Sequence, residues 1–297
     1  MKIGMVGIGQ MGGRMARRVL DGGYSLFLHD LNKETAKPLI EKGAKWKETP
    51  RGIAEACEVT ITCLPNPQDV EEVVSGMTGL MSGWKQGSIY IDMSTNSPST
   101  VRRIAATAKD RGVEMLDAPV SGGVGGAEAG TLTIMVGGEA STLEKIHPLL
   151  QTMGKNIFHV GPLGCGSITK IINNMMVTTC NAITAECFVL GVKAGMDPKL
   201  LREVIRTSSG GNFWLERNMP RIFEGNFAPG FRLALALKDI GLAMGLAREY
   251  GVIMPVSVAV EQRFREAEAA GLGDQGSQVI IRRLEELAGV QVRAQGT

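Results

Sequence analysis

Apolar positions follow two regimes along the chain. From residue 1 to about 160, short β-rich runs alternate with helical stretches. Ile3 to Val6, Tyr24 to His29, Val59 to Leu64, Ser88 to Asp92 and Val113 to Asp117 read as strands, and Met11 to Leu20 reads as a helix between the first two. Alternation of this kind implies a parallel sheet with crossover helices. Near Gly161-Pro162-Leu163-Gly164-Cys165-Gly166 the alternation stops. Ser167 to Lys193 then reads as one long helix ending at Gly195, and Asp197 and Pro198 restart the next as cap and first-turn proline. Helices at Leu233 to Tyr250, Pro255 to Ala269 and Ser277 to Ala288 follow, each stopped by glycine. The expected architecture is α/β: a doubly wound parallel sheet over residues 1–162, then an all-α domain over residues 163–297.

The first strand runs straight into Gly7-Ile8-Gly9-Gln10-Met11-Gly12, and Asp30 closes the second strand. In a strand-turn-helix setting this is a dinucleotide-binding fingerprint. Gly7 permits the tight turn, Gly9 lets the backbone approach a pyrophosphate, and Gly12 lets the helix pack closely, with its N-terminal N–H groups facing the phosphates. Asp30 is placed to accept hydrogen bonds from the adenosine ribose. The N-terminal domain is therefore expected to be of Rossmann type. A carboxylate at Asp30 favours the free ribose hydroxyls of NAD and repels the extra phosphate of NADP, an exclusion that Asn32-Lys33 softens, so NAD is the expected cofactor with NADP possible.

Composition narrows the partners. The formal net charge is +2 with no long run of Lys or Arg, so no nucleic-acid surface is expected. The chain enters a core strand at once, which leaves no room for a signal peptide, and no apolar stretch reads as long and uncharged enough to span a bilayer. The expectation is a soluble cytoplasmic protein with no membrane partner. Cys57, Cys63, Cys165, Cys180 and Cys187 form no CxxC or Cys/His cluster, and His29, His147 and His159 are scattered. Reduced, mostly buried thiols and no metal site follow.

The long helix after the boundary is apolar around most of its circumference, which predicts burial. Yet Lys170, Asn174 and Asn181 fall within roughly 40° of one another at about 100° per residue, with Asn173 on the flank. A lysine desolvated beside amides can exchange a proton near neutral pH. Asn174 can hold a substrate in orientation. The alternative for Lys170 is a structural ion pair. Upstream, Ser121, Gly122 and Gly123 open a glycine run whose backbone N–H groups, with the Ser121 hydroxyl, could cradle a carboxylate. The same composition suits a flexible crossover loop.

Four motifs occur in order: Gly7 to Gly12, Asp117-Ala118-Pro119-Val120-Ser121-Gly122-Gly123, Gly164-Cys165-Gly166 through Lys170-Ile171-Ile172-Asn173-Asn174, and Lys238-Asp239. With them the whole chain resembles the β-hydroxyacid dehydrogenases, the family of 3-hydroxyisobutyrate dehydrogenases and tartronate semialdehyde reductases. The resemblance implies an NAD-dependent oxidoreductase that interconverts a small β-hydroxy acid and its semialdehyde. It implies Lys170 as the catalytic lysine, Asn174 as its substrate-orienting partner, and Ser121, Gly122 and Gly123 as the loop for the substrate's carboxylate or sulfonate. Leu64, Pro65 and Thr95 match cofactor-lining positions, Lys238 matches a lysine at the nicotinamide end, and Asp239 reads as a structural partner at that helix start. A homodimer or homotetramer through the helical domain is implied as well. Phe213 or Trp214 is expected as a substrate-pocket wall, with a core position as the alternative. Arg18 departs from the family pattern, and Arg17-Arg18 has no derived role. Two other functions fit: an NADP-preferring semialdehyde reductase, and a dinucleotide-binding sensor or scaffold without chemistry.

Overall fold

A computed structural model describes residues 1–294. The first compact unit, Met1–Lys170, contains β1 (Lys2–Val6), α1 (Gly12–Asp21), β2 (Ser25–His29), α2 (Lys37–Ile40), β3 (Lys45–Trp46), α3 (Pro50–Ala56), β4 (Val59–Thr62) and α4 (Pro67–Ser75). It continues with β5 (Ile89–Asp92), α5 (Pro98–Asp110), β6 (Glu114–Asp117), β7 (Val120–Ser121), α6 (Gly123–Ala129), β8 (Leu132–Gly138), α7 (Ala140–Gln151) and β9 (Gly154–Gly161). Then comes α8 (Cys165–Lys193), within which the second unit begins at Ile171. That unit adds α9 (Pro198–Arg206), α10 (Phe213–Phe223), α11 (Leu233–Tyr250), α12 (Pro255–Ala269) and α13 (Ile281–Ala288). Helix starts follow local chemistry: proline occupies the first turn of α3, α4, α5, α9 and α12. Thr49, Ser97, Asp197 and Asn212 accept first-turn N–H groups as caps.

The strand order is β3-β2-β1-β4-β5-β6-β8-β7, with β9 beside β8. The strands β1 to β6 pair in parallel, but β8 runs antiparallel to β6 and β7. The sheet is thus parallel-dominated rather than wholly parallel. No full crossover separates β7 from β8, and the short α6 between them returns the chain in the opposite sense. Side chains alternate between faces with the strand period. Met5, Leu26, Leu28, Ile91 and Leu116 pack with Met15 and Val19 of α1, whereas Val6, Phe27, Tyr90 and Met115 pack with helices α3, α4 and α5.

In the second unit Ile171, Phe188, Leu215, Ile240 and Phe264 belong to one core. The last segment begins as a 3-10 turn, Ser277–Ile280, before α13, so the expected helix from Ser277 is a composite.

Helix α8 corrects one expectation. Its 29 residues, with an 18-residue stretch of mean hydropathy 1.5, make it long and apolar enough to cross a membrane by length and composition alone. Its amphipathicity, however, is inverted. Asn174, Thr178 and Asn181 are buried, while Ile172, Met176, Ile183 and Leu190 are exposed. At about 100° per residue the exposed apolar stripe lies roughly opposite the polar one.

The thiols also differ from expectation. All five cysteines are free, but only Cys57 is buried, and Cys187 is exposed. Arg17 pairs with Asp21 at 2.9 Å, one turn along α1, and the Arg18 side chain lies against Gly130 at the end of α6.

Candidate active site

The parallel strands reverse their order of addition between β1 and β4, which places a crevice at the C-terminal ends of these strands. The glycine loop occupies that position. Gly7 has φ +87°, and a Cβ there would come 2.5 Å from the Cys63 carbonyl oxygen. A Cβ on Gly12 would collide with the Gly7 carbonyl, so the start of α1 packs directly on the turn. A Cβ on Gly9 would meet nothing within 4 Å, so the backbone there faces open space. Among the described residues no side chain caps α1. Its first N–H groups thus suit a phosphate. These features fit a dinucleotide. Ile8 is buried, Gln10 is exposed and Met11 is half-buried, so the side chains of the loop divide between core and surface.

Asp30 is tied into this turn more closely than the sequence suggested. Its Oδ2 accepts the Ile8 N–H at 2.8 Å and its Oδ1 accepts the Asn32 N–H at 3.0 Å. Each oxygen retains a lone pair for a ribose hydroxyl.

Leu64, Pro65 and Thr95 sit just past β4 and β5, in the two loops next along this sheet edge. The loops are tied together: the Leu64 N–H donates to Ser94 Oγ at 2.9 Å, and the Ser94 N–H donates to Asp92 Oδ1 at 3.0 Å. Asp92 also accepts the Thr62 hydroxyl at 2.9 Å and the Asn96 amide at 2.8 Å. Burial pushes the Asp92 carboxyl above the usual range, opposed by its donors at Asn96, Ser94 and Thr62.

Beyond β6 the chain forms the glycine run. Gly122 and Gly123 have φ of +131° and +64°, successive positive values that disfavour any side chain. Ser121, half-buried, pairs with Thr133 across β7 and β8. Asp117, at the end of β6, is fully buried, and its local sequence does not reveal its task. Its Oδ1 accepts the Gly164 N–H at 2.9 Å and its Oδ2 accepts the Ser167 N–H at 2.7 Å. It therefore caps α8 from a residue far away in sequence. A Cβ on Gly166 would fall 2.5 Å from the Asp117 carbonyl oxygen, which explains the glycine in the Gly164-Cys165-Gly166 motif. Burial raises the Asp117 carboxyl pKa; the Gly164 and Ser167 donors oppose the shift, and neighbouring Asp92 adds to it.

Lys170 stands one turn into α8 and is half-buried rather than enclosed. Asn174 follows one turn later and is buried. Its amide orientation is fixed. Nδ2 donates to Asp239 Oδ2 at 2.5 Å, and Oδ1 accepts from Asn173 Nδ2 at 3.0 Å. One Asn174 N–H remains for another acceptor. Asp239 is buried within α11, not at its start, and pairs with Lys238 at 2.9 Å. Asn181 donates to the Ser277 carbonyl at 2.9 Å, a structural role.

Trp214 is only 4% exposed and belongs to the core of the second unit, so the core alternative is the one realised. The first turn of α10 directs Trp214 inward and leaves Phe213 exposed.

Two domain families match the chain. The NAD-binding domain of 6-phosphogluconate dehydrogenase matches residues 2–161, and the NAD-binding domain of NADP-dependent 3-hydroxyisobutyrate dehydrogenase matches residues 164–284. The 2-(hydroxymethyl)glutarate dehydrogenase of Eubacterium barkeri is 40% identical over 98% of this chain and 97% of its own length. The chain belongs to the β-hydroxyacid dehydrogenase family. A 3-hydroxyisobutyrate dehydrogenase of Pseudomonas aeruginosa is 39% identical over 94% of the chain and 98% of its own. The structure of the Mycobacterium tuberculosis 3-hydroxyisobutyrate dehydrogenase with L-serine superposes with a TM-score of 0.87 at 31% identity, covering 95% of this chain and 98% of that one. As a β-hydroxyacid dehydrogenase, the chain is an NAD(P)-binding oxidoreductase that acts on a CH–OH group.

Proposed function

We propose that Lys170 is the general acid/base of an NAD-preferring dehydrogenase that interconverts a small β-hydroxy acid and its semialdehyde. The observation that carries this reading is the arrangement on α8. Lys170 stands one turn from an amide whose rotamer is locked by Asp239, on a helix whose first turn is held by Asp117. A bound oxidised nicotinamide would supply the hydride acceptor for the carbinol carbon. Lys170 Nζ takes the hydroxyl proton as the carbonyl forms, and returns it in the reverse reaction. Asn174 directs its remaining N–H to the substrate oxygen, and Lys238 lies at the nicotinamide end. Ser121, with the Gly122 and Gly123 backbone, holds the acid group, carboxylate or sulfonate.

Residues 1–162 hold the cofactor through Gly7 to Gly12, Asp30, Leu64, Pro65 and Thr95, and residues 163–297 carry the substrate and oligomer functions. The exposed stripe of α8 supports a homodimer or homotetramer, since apolar side chains aligned over several turns gain from a second copy. The free thiols accord with a cytoplasmic setting.

The test is a reduction assay at 340 nm across 2-(hydroxymethyl)glutarate, 3-hydroxyisobutyrate, serine and glycerate, with NAD and NADP in parallel. The expected result is turnover of at least one alcohol, with higher kcat/KM for NAD. Lys170→Ala should lower kcat by about two to four orders of magnitude while leaving NADH affinity within about threefold. Appreciable turnover by that variant would remove Lys170 from the reaction, and equal efficiency with NADP would remove the selectivity assigned to Asp30.

A further inference from the structure

Asp92 ends β5 with only 1% of its surface exposed, and Thr62, Ser94 and Asn96, which donate to it, are all neutral. Oδ1 takes the Thr62 hydroxyl and the Ser94 N–H, and Oδ2 takes the Asn96 amide. Ser94 Oγ takes the Leu64 N–H, and Asn96 Oδ1 takes the Ser97 N–H at 2.7 Å, just before α5. Ser94 and Asn96 are buried on either side of Thr95. One carboxylate therefore fixes the conformation of the loop that follows β5 and, through Ser94, the start of the loop that follows β4.

A buried carboxylate is costly unless its donors are all present. A residue of the same shape that only accepts is what this junction requires. Asparagine at the same place would turn an N–H donor toward either the Asn96 amide or the Thr62 and Ser94 donors. We propose that Asp92 is a positioning residue for the dinucleotide, holding Leu64, Pro65 and Thr95 where the cofactor meets them. This rests on the reading that those three residues line the cofactor.

The hydrogen-bond pattern permits a specific rescue. In the double variant Asp92→Asn/Asn96→Asp, the new amide keeps its oxygen for Thr62 and Ser94 and donates its N–H to the new carboxylate, whose second oxygen still accepts from Ser97. Every link is retained, together with a single buried negative charge.

NADH affinity of the full-length protein, measured by fluorescence titration, and steady-state kinetics test this. Asp92→Asn should raise the NADH Kd and the KM for NAD at least tenfold, about 1.4 kcal/mol, while the KM for the hydroxy acid moves little. The double variant should return both to within about threefold of wild type, as reinstated hydrogen bonds predict. Ser94→Ala, which removes the hydroxyl that joins Leu64 to Asp92 but leaves the Ser94 N–H bond to Asp92, should weaken NADH binding without changing any charge, and it serves where Asp92→Asn does not fold. Wild-type binding with an unmoved Asp92→Asn, with an unrescued double variant, or with an unmoved Ser94→Ala would overturn the role of Asp92 alone. Failure of the wild type to bind either dinucleotide would overturn the cofactor reading too.

Discussion

Replacing Asp117 by asparagine changes one oxygen into an amide nitrogen and nothing else in shape. The wild-type carboxylate accepts from Gly164 at 2.9 Å and from Ser167 at 2.7 Å, so an asparagine can satisfy one of these N–H groups and must oppose the other. Loss of a buried hydrogen bond to a charged acceptor costs about 1.5–3 kcal/mol. Loss of the carboxylate at the start of a long helix adds about 0.3–1 kcal/mol. Relief from burying the charge returns part of this, leaving a net destabilisation of about 2 kcal/mol. For a folding unit of this size that lowers Tm by roughly 4–8 °C. Thermal denaturation followed by circular dichroism from pH 5 to 8 reads it out. The pH dependence has a definite sign. Because burial raises the folded carboxyl above the ordinary aspartate range, the native state binds more protons than the unfolded state between the unfolded and the folded pKa. Wild-type stability from this group therefore falls as pH rises through the raised folded pKa. The gap to Asp117→Asn, which has no such titration, should be widest at the acid end and narrow toward neutrality. A Tm within about 1 °C of wild type throughout would refute the capping role, since it would require that no net hydrogen-bond energy was lost, whereas a gap that widens with pH would refute the raised carboxyl pKa and leave the capping bonds as the dominant effect.

Two further outcomes follow from the geometry. Asp239→Asn cannot satisfy both Asn174 and Lys238, so kcat should fall by about 10–100-fold through misorientation of the Asn174 amide; unaltered kcat at saturating substrate would show that the amide needs no such support. Leu190→Glu together with Met176→Glu places charges on the exposed apolar stripe of α8, and light scattering should then report a smaller assembly than wild type. An unchanged mass would locate the subunit contact elsewhere.

Much of the site was legible because its signals are local. Gly7 needs a positive φ and Gly12 needs close packing, and both demands are written within six residues. Proline and capping residues at the starts of α3, α5 and α9 are equally local. The misreadings concern partners distant in sequence. The β-propensity of residues 132–138 gave no sign that β8 would run antiparallel to β6, because strand direction is decided by the connection and not by the strand. The tasks of Asp117 and Asp239 depend on residues 47 or more positions away. Trp214 faces inward and Phe213 outward on the first turn of α10, a choice that two adjacent aromatic residues do not specify by their chemistry alone.

Asp92, Asp117 and Asp239 share a logic that explains why carboxylates occupy such buried positions. Each stands beside groups that must be held from more than one direction: a pair of loops, the first turn of α8, the amide of Asn174. An apolar residue could fill the space, but it would leave buried N–H donors unpaired at about 1–3 kcal/mol apiece. An amide could pair with some, but it would set a donor against a donor. Only a group that accepts on both oxygens gathers donors from several directions, and burial makes each of those bonds stronger and more exacting in direction. The same burial raises the carboxyl pKa of Asp92 and Asp117, a cost in stability near neutral pH. That cost is the expected mark of residues placed for geometry. The donors gathered at Asp92 and Asp117 mark the ends of β5 and β6 as places where a buried carboxylate holds the loops and the helix that carry the candidate chemistry.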